Sequence, residues 1–532
     1  MNYIIIQAGG KGTRLGYLTR NKPKALVPVG NLPMLFYLFR KYPEKKFIVI
    51  ADYHKETLRK YLNCFADVKY QVIDAVGTGT CSGICQALEL IPEQEPFMLV
   101  WSDLILPQDM ELPEEYRDDE KRIFQMTDGG GNVEDKFLQA DCKNNCAVCL
   151  PQRDYIGISQ TFPCRWSYRD GQFREEESLE HGVAGFFLFT DKSKLDGIPE
   201  SGELVRWMQG QRLTYQEIGL AGTREFGILE EYKKLEQEKC RPFNRITVNA
   251  GKLIKEPADR QGRELAARES RWYKKAMEKV PGILPRIYAT EPLEMEYIQG
   301  KNIYECGLRY EEKKDILGKL VGALKELHES GQTQADSFSI KEAYYNKTIR
   351  RLDKIWNLAP FAQERTIRIN GKICRNIFFH KRELEKKLEG LTRTCGRFCF
   401  IHGDCTFSNI LLREDATLVF IDPRGYFGFT ELYGDIRYDW AKLYYSIAGN
   451  YDRFNLKDFR LGIGADGVTL EIASNHWEDM EQDFFTLTGA DPMEIKLLHA
   501  IIWLSLTTYA WQDYDSVCGA FYNGLYYLED LL

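Results

Sequence analysis

The most informative segment of the sequence is Phe400-Ile-His-Gly-Asp-Cys-Thr-Phe-Ser-Asn-Ile-Leu-Leu412, closely followed by Val419-Phe-Ile-Asp-Pro-Arg-Gly425. An apolar run leads into His402-Gly403-Asp404, and Asn409 follows the aspartate after a short interval. A second apolar run then ends at Asp422. The pattern thus attaches two carboxylates and one amide to segments that are apolar enough to be buried strands.

This layout resembles the catalytic loop and the metal-binding strand of kinases. The resemblance implies that Asp404 accepts the proton of an attacking hydroxyl, while Asn409 and Asp422 hold magnesium against the phosphates of ATP. The order of elements over residues 243–532 resembles the aminoglycoside phosphotransferase and choline kinase family. We therefore expect phosphoryl transfer to a small molecule in this half of the chain.

Residues 246–255 alternate like two strands around a turn, and residues 264–273 have a helical pattern that carries Glu269. A lysine on a strand and a glutamate on the next helix form the ion pair that positions ATP phosphates in kinases. We assign the lysine to Lys255, because it follows the apolar pair Leu253-Ile254. Lys252 remains a rival for the role.

Further motifs of the same resemblance fall in the expected order. Backbone groups from Glu296 to Ile298 occupy the position of the hinge that contacts adenine. Residues 313–328 have the apolar periodicity of a core helix, with His328 at its end and not a ligand. Asp439 lies near a helix start, where we assign it to the substrate region as the residue that orients the catalytic loop. Asp435 is interpreted as an N-cap.

The residues after Asp422 depart from the choline kinases. Those enzymes follow the metal-binding aspartate with an aromatic–acidic pair that helps to build a cation site, whereas this chain has Pro423-Arg424-Gly425. We assign Arg424 to the substrate pocket. An arginine there argues against a quaternary ammonium substrate and favours a neutral or anionic sugar or polyol.

The N-terminal half begins with Tyr3-Ile-Ile-Ile-Gln7, which has the composition of a buried parallel strand. It runs into Ala8-Gly-Gly-Lys-Gly-Thr-Arg-Leu15, and Thr19-Arg-Asn-Lys-Pro-Lys-Ala-Leu-Val-Pro-Val29 follows. Together they resemble the signature of sugar-nucleotide pyrophosphorylases and related nucleotidyltransferases. The resemblance implies a triphosphate cradle in which Arg14 and Lys24 also stabilise charge. The NTP-binding residues that it implies are Ala8, Gly9, Gly10, Gly12, Thr13, Arg14, Lys24, Gly79 and Thr80.

The same resemblance implies a second magnesium site. Asp103 ends the apolar run 97–103, and ligands of open α/β sheets bind at such strand ends. The second carboxylate is assigned to Glu225, where the related enzymes have aspartate. One alternative is that Glu217 is the second ligand. The other is that Glu225 is only a carboxylate at a helix start, where the helix dipole favours a negative charge. Arg165 and Gly182 lie in the two segments where these enzymes bind the phosphorylated acceptor.

Composition limits the remaining possibilities. The chain has 532 residues, too many for one ordinary domain, and its formal net charge of -7 argues against nucleic acid as a partner. No run is long enough to span a bilayer and no cleavage site follows the first residues, so we expect a cytoplasmic protein. Cys142, Cys146 and Cys149 have a cluster-like spacing in a polar segment, but free thiols in a loop are the default interpretation.

These observations predict an α/β chain of two domains. Residues 1–238 form a Rossmann-like, GT-A-like nucleotidyltransferase domain with a mixed sheet, and residues 239–242 form a linker. Residues 243–532 form a two-lobed, protein-kinase-like α+β domain, with an N-lobe at about 243–298 and a C-lobe at about 299–532.

The predicted function is a bifunctional enzyme. It phosphorylates a sugar or polyol with ATP and then couples the phosphate to a second NTP, CTP or UTP, with Mg²⁺ at both sites. The product is an activated precursor for surface glycans, and the partners are small molecules and nucleotides, without membrane insertion; a homo-oligomer is left open. The alternatives are a choline kinase fused to a phosphocholine cytidylyltransferase, a nucleotide sensor with an inactive kinase-like half, and a kinase that modifies an antibiotic, which the fusion disfavours.

Overall fold

The computed structural model describes residues 1–117, 153–211, 213–227, 229, 232, 244–257 and 260–532. They fall into two compact units, one within Met1–Glu236 and one within Gln237–Leu532. The predicted linker at 239–242 and the three cysteines Cys142, Cys146 and Cys149 lie outside the described residues. Within the described part of the chain, no helix combines the length and the apolar composition needed to cross a membrane.

A mixed sheet forms the centre of the N-terminal unit. Its strands follow the order β10-β9-β11-β6-β1-β4-β5, and β8 joins it by pairing with β11 and β12. The strands of this unit are β1 Tyr3–Gln7, β2 Pro28–Val29, β3 Leu32–Pro33, β4 Lys46–Ala51, β5 Lys69–Asp74, β6 Phe97–Trp101, β7 Leu104–Ile105, β8 Tyr155–Ser159, β9 Ser167–Arg169, β10 Gln172–Arg174, β11 Gly182–Phe189, β12 Gln216–Leu220 and β13 Arg224–Glu225.

Strand β1 occupies the middle of this sheet because its side chains can be buried on both faces. It pairs in parallel with β4 and with β6, and Ile4, Ile5 and Ile6 are fully buried. The prediction of a buried parallel strand is confirmed, and so is the mixed sheet, since β11 pairs antiparallel with β6. The carboxyl ends of β1 and β6 therefore meet at one edge.

Helices pack against this sheet. One helix follows β4, and another follows the glycine-rich segment 77–83. The α-helices described in this unit are α1 Met34–Lys41, α2 Lys55–Phe65, α3 Ile84–Glu89 and α4 Leu204–Gln209.

The C-terminal unit opens with an antiparallel sheet of order β14-β15-β17-β16, followed by smaller sheets. The predicted strand pair around a turn is confirmed, with Ile246 opposite Lys255. The strands are β14 Asn244–Asn249, β15 Lys252–Pro257, β16 Ile287–Thr290, β17 Leu293–Glu296, β18 Gly300–Asn302, β19 Gln332–Gln334, β20 Thr366–Ile369, β21 Lys372–Arg375, β22 Arg397–Phe400, β23 Ile410–Arg413, β24 Leu418–Phe420, β25 Tyr426–Phe427, β26 Thr430–Glu431, β27 Tyr433–Gly434, β28 Phe459–Gly464 and β29 Gly467–Ile472.

Helices make up most of the remainder of this unit. The helical patterns at 264–273 and 313–328 are confirmed as parts of longer helices. The C-terminal segment from Glu481 onward is largely helical, whereas Leu470 lies in β29. The α-helices are α5 Arg260–Lys279, α6 Tyr310–Glu329, α7 Ser337–Lys341, α8 Lys347–Ile355, α9 Lys381–Thr394, α10 Ile436–Ile447, α11 Tyr451–Asn455, α12 Glu481–Thr488, α13 Pro492–Leu506 and α14 Tyr514–Leu528.

Candidate active sites

The loop after β1 combines tight packing at its start with exposure in its middle. Ala8 is buried, and its N–H donates to the carbonyl oxygen of Ile50 at 2.9 Å. A side chain on Gly9 would place its Cβ 2.8 Å from the Cβ of Asp52, so glycine is required by the close approach. Gly10, Thr13 and Arg14 are exposed. The predicted cradle is thus open to a ligand.

The second glycine-rich segment is held to β1 by Gln7, which the sequence did not single out. Its side-chain amide donates to the carbonyl oxygens of Thr80 at 2.8 Å and of Ser82 at 3.1 Å. The hydroxyl of Thr80 accepts from the N–H of Leu204, at the start of α4. Gly79 has a φ of +83°, and a Cβ there would meet the carbonyl oxygen of Gly202 at 2.3 Å. The fold therefore fixes this loop beside the cradle.

The two predicted carboxylates of the N-terminal unit are brought together by the short pairing of β7 with β13. Glu225 lies opposite Leu104, the neighbour of Asp103 in the chain. Asp103 is buried and pairs with Lys24. Burial, followed by the charge of Asp103, raises the pKa of Glu225, while Lys24 and Arg14 oppose this shift.

The side chains of this cluster converge on one point beside Gly227. A Cβ on Gly227 would lie 2.5 Å from Oε1 of Glu225 and 3.3 Å from both Nη2 of Arg14 and Nζ of Lys24. The alternative carboxylate, Glu217, is exposed on β12 and lies opposite Ile156. Two adjacent carboxylates fit Mg²⁺, which nucleotide sites hold with one or two carboxylates plus phosphates.

The predicted acceptor residues of this unit lie on the strands β9 to β11 and the segment before them. The exposed guanidinium of Arg165 pairs with Glu175, and Nη1 lies 3.4 Å from Oε1 of Glu203. Gly182 is buried, and a Cβ there would meet the carbonyl oxygen of Ser178 at 2.5 Å. In this structure Arg165 is thus engaged with carboxylates, and Gly182 has a packing reason to lack a side chain.

In the C-terminal unit, Lys255 joins two acidic side chains. Its Nζ lies 2.9 Å from Oε2 of Glu269 and 2.7 Å from Oδ1 of Asp422. Burial raises the pKa of Glu269, with Lys255 opposing the shift. Lys252, the rival, pairs instead with Glu294. The structure therefore forms the expected lysine–glutamate pair with Lys255.

The catalytic-loop residues also lie in one place. Nδ2 of Asn409 donates to the backbone oxygen of Asp404 at 2.8 Å and to its Oδ2 at 3.2 Å. This geometry leaves the amide oxygen of Asn409 available as a ligand. Asp422 has a φ of +53°, a strained value for a residue with a side chain. The carboxylate of Asp422 and the amide oxygen of Asn409 are the donor types that Mg²⁺ prefers.

Lys442, which the sequence did not single out, lies beside the predicted base. Its Nζ is 2.8 Å from Oδ1 of Asp404, and both side chains are largely buried. The signal that could have identified it is its position one turn after Asp439 on α10.

Asp439 holds the catalytic loop from inside the protein. It is fully buried, and it accepts the N–H groups of His402 at 2.9 Å and Gly403 at 2.7 Å. Nε2 of His328 lies 2.9 Å from its Oδ2, so the helix-end histidine supports Asp439. Burial lowers the pKa of His402. Asp435 caps α10 by accepting from the N–H of Arg437, which agrees with its interpretation as an N-cap.

In the predicted hinge segment, the backbone hydrogen bonding of Ile298 differs from that of Glu296 and Tyr297. The N–H of Glu296 donates to the carbonyl oxygen of Arg286, and the N–H of Tyr297 donates to that of Gly251. The side chain of Glu296 pairs with Arg413. No backbone hydrogen bond of Ile298 is found among the residues that the structure describes.

Arg424 lies in a group of cations around two tyrosines. Its guanidinium donates to the hydroxyls of Tyr438 at 2.6 Å and Tyr426 at 2.9 Å. It also lines a pocket together with Lys347, a residue of α8 that the sequence did not single out. The positive charge of Arg424 lowers the pKa of Tyr426.

The chain was compared with protein families and with proteins of known identity. Residues 3–132 match the model of the nucleotidyl transferase family, and residues 245–464 match that of the phosphotransferase enzyme family. A bifunctional protein GlmU from Methanocaldococcus jannaschii is 28% identical over 109 residues, 20% of this chain and 26% of that protein. A probable glucose-1-phosphate cytidylyltransferase from Bacillus subtilis is 23% identical over 243 residues, 43% of this chain and 92% of that protein.

Two solved structures are similar to parts of the chain. HddC from Yersinia pseudotuberculosis has a TM-score of 0.32 and 19% identity, over 44% of this chain and 98% of that one. A choline/ethanolamine kinase family protein from Mesorhizobium loti has a TM-score of 0.35 and 14% identity, over 55% of this chain and 86% of that one. The match spans about a quarter of the length of the GlmU relatives. The chain thus contains an N-terminal domain of the nucleotidyl transferase family and a C-terminal domain of the phosphotransferase enzyme family.

Proposed function

We propose that this protein carries out two consecutive transfers on one small alcohol. The C-terminal domain, residues 243–532, phosphorylates a hydroxyl with ATP, and the N-terminal domain, residues 1–238, couples the new phosphate to CTP or UTP. The observation that carries the proposal is that each family domain has a complete group of cations and carboxylates, around Asp103 in one and around Asp404 and Asp422 in the other.

In the first transfer, the acceptor hydroxyl attacks the γ-phosphorus of ATP. The new O–P bond forms while the bond to ADP breaks, and Asp404 takes the hydroxyl proton. Lys442 fixes the orientation of the Asp404 carboxylate, and Asp439 fixes the loop that carries it. Lys255, held by Glu269, meets the ATP phosphates. The N–H of Ile298, for which the described residues show no backbone acceptor, donates to adenine.

In the second transfer, a phosphate oxygen of the phosphorylated acceptor attacks the α-phosphorus of the NTP. The bond to the β-phosphate breaks, and pyrophosphate leaves. Arg14 and Lys24 lie where they can stabilise the charge on the phosphates. The Bacillus subtilis relative is named as a probable cytidylyltransferase that acts on glucose 1-phosphate, which supports a phosphorylated acceptor and CTP.

Both sites fit magnesium. Asp103 and Glu225 would hold it in the N-terminal domain, and Asn409 and Asp422 would hold it in the C-terminal domain. When bound, the ion neutralises the phosphate oxygens on which negative charge accumulates. The activated product suits the synthesis of surface glycans by a cytoplasmic enzyme.

The test uses the purified full chain with ATP, CTP, UTP, magnesium and a panel of sugars and alcohols. We expect ADP formation that is lost in Asp404→Asn, and pyrophosphate formation that is lost in Asp103→Asn. Each variant should keep the other half-reaction when it is given the appropriate substrate. Pyrophosphate formation that survives Asp103→Asn would overturn the assignment of the N-terminal site.

The alternative functions are separated by the same assays. A choline kinase fused to a phosphocholine cytidylyltransferase would turn over choline and CTP. The arginine at position 424 opposes this reading. A nucleotide sensor would bind ATP without forming ADP, and the intact contacts of Lys255 with Glu269 and Asp422 oppose it.

A further inference from the structure

The pocket beside the predicted base is lined by positive charge. Lys347, Arg424 and Tyr438 are among its lining residues. The Tyr438 ring centroid lies 5.9 Å from Nζ of Lys347, 5.9 Å from Nζ of Lys442 and 5.7 Å from Cζ of Arg424. Three cations from three segments of the domain therefore surround one aromatic ring.

Of these three cations, only Lys442 has an ion-pair partner among the residues that the structure describes. Asp404 pairs with Lys442, and Glu342, which also lines the pocket, pairs with Arg350. Arg424 donates to two tyrosine hydroxyls, and among the described residues no ion pair of Lys347 or Arg424 is found.

Lys347 is the least satisfied member of the group. Burial and the neighbouring Arg424, Arg351 and Lys442 lower its pKa, and Glu342 opposes the shift. Arg351 itself donates to the hydroxyl of Ser505 at 3.0 Å. A lysine that points into a pocket among other cations costs stability unless an anion joins them.

The tyrosines cannot serve a cationic substrate in this arrangement. Cζ of Arg424 lies 4.6 Å from the ring centroid of Tyr426, and Cζ of Arg268 lies 4.5 Å from the same centroid. Their aromatic faces are already engaged by the protein's own cations. A quaternary ammonium group would meet positive charge instead of an aromatic cage.

We propose that the acceptor of the phosphotransferase domain is an anionic alcohol, whose carboxylate or phosphate is bound by Lys347 and Arg424 while its hydroxyl faces Asp404. The transfer of a phosphoryl group to this alcohol rests on the proposed function. The binding of the anion does not depend on it. It narrows the acceptor from any sugar or polyol to one that carries a negative charge before it is phosphorylated.

The binding experiment uses inorganic phosphate as its probe. It is titrated calorimetrically into the full chain with saturating magnesium and non-hydrolysable analogues of ATP, CTP and UTP, so that both nucleotide sites are occupied. Lys347→Met should weaken phosphate binding on the order of 10- to 100-fold, the effect of losing one hydrogen bond to a charged group. Lys386→Met, which removes an exposed lysine of α9, should bind phosphate like the wild type.

A turnover experiment separates the sources of negative charge. ADP formation is measured with D-glycerate, sn-glycerol 3-phosphate, glycerol and 2-amino-1,3-propanediol, which carry a carboxylate, a phosphate, no charge and a positive charge. The acids should have the higher kcat/KM in the wild type, and this preference should be lost in Lys347→Met. The acid with the higher kcat/KM shows whether the site prefers a carboxylate or a phosphate.

The outcomes distinguish this inference from the proposed function. Phosphate binding that depends on Lys347, without ADP formation from any acceptor, would leave the anion site in place and reject the kinase assignment. A higher kcat/KM for ADP formation with the neutral or cationic alcohol would reject the anion site and leave the kinase assignment in place. Equal phosphate binding by wild type and Lys347→Met, or no binding at all, would overturn the anion site. The melting temperature of Lys347→Met without anion should not fall, because the variant relieves repulsion; a fall would indicate a structural lysine and also overturn it.

Discussion

At the scale of single residues, Lys442 offers the sharpest test of the phosphotransferase site. Its only role in the proposed mechanism is to hold Asp404, from which it lies 2.8 Å. Replacing it with methionine keeps the length of the side chain and removes the charge. We expect kcat for ADP formation to fall on the order of 100-fold, because the base is no longer held in place.

The matched control for this prediction is Lys386→Met, which removes a charge from the exposed face of α9. If only KM for the acceptor rises while kcat is unchanged, Lys442 contacts the acceptor instead of positioning the base.

In the N-terminal site, Gly227 offers a comparable single-residue test. A methyl group there would lie 2.5 Å from Oε1 of Glu225 and 3.3 Å from Nζ of Lys24. Gly227→Ala should therefore abolish most pyrophosphate formation, because the carboxylate and the lysine would have to move apart. ADP formation by the same variant is the control and should be unchanged. Normal pyrophosphate formation would show that the cluster is not where the NTP reacts.

Individual residues could be predicted from sequence only where a motif marks them. Asp404, Asn409 and Asp422 stand in a recognisable order along one stretch, and the structure brings them together. Lys347 and Lys442 carry no motif of their own. Lys442 shares helix α10 with Tyr438, whereas Lys347 reaches the same ring from α8, which is far away in sequence, and that meeting depends on tertiary structure.

At the scale of elements, periodicity predicted which segments are strands and helices, but not how distant segments pair. The position of Glu225 depends on the ladder between β7 and β13, whose residues are separated by more than half of the N-terminal unit. The short strands concerned have no periodic signal. For the same reason the sequence left Glu217 open as an alternative, and left Lys252 open beside Lys255.

Helix α13 supplies a prediction about pH. Burial lowers the pKa of His499 to about 3, and its Nε2 accepts the indole N–H of Trp503 at 3.0 Å. The folded pKa is below the unfolded value of about 6.5, so the unfolded chain binds the proton first as the pH falls. Stability is full above about pH 6.5 and is lost below it, by about 2 kcal/mol at pH 5.

Urea unfolding of wild type and His499→Gln at pH 7 and pH 5 measures this effect. The glutamine keeps an acceptor for Trp503 and does not titrate. The transition of the C-terminal domain should move to lower urea between pH 7 and pH 5 in the wild type, and by less in the variant. Equal shifts in both proteins would show that other groups carry the acid sensitivity.

At the scale of the whole molecule, the two family domains have separate cores and separate sites. The residues of each proposed site lie within one compact unit, as the contacts of Asp103 with Lys24 and of Asp404 with Lys442 illustrate. A sequence can reveal such a fusion because each motif set is complete within its own half. Their order of action is a chemical inference: a phosphate must be on the acceptor before it can attack an NTP.

This order leads to a prediction for mixtures of inactive variants. Asp404→Asn cannot make the phosphorylated acceptor but keeps the N-terminal site, whereas Asp103→Asn makes the intermediate and cannot use it. Mixed together with acceptor, ATP, NTP and magnesium, they should restore the nucleotide product after a lag, because the intermediate must be released and bound again. Each variant alone should give none, and adding the purified phosphorylated acceptor to Asp404→Asn should remove the lag. A mixture that stays inactive, while Asp404→Asn uses added intermediate, would mean that the intermediate does not leave the protein on which it is made. If Asp404→Asn fails with added intermediate as well, the two sites do not act in sequence.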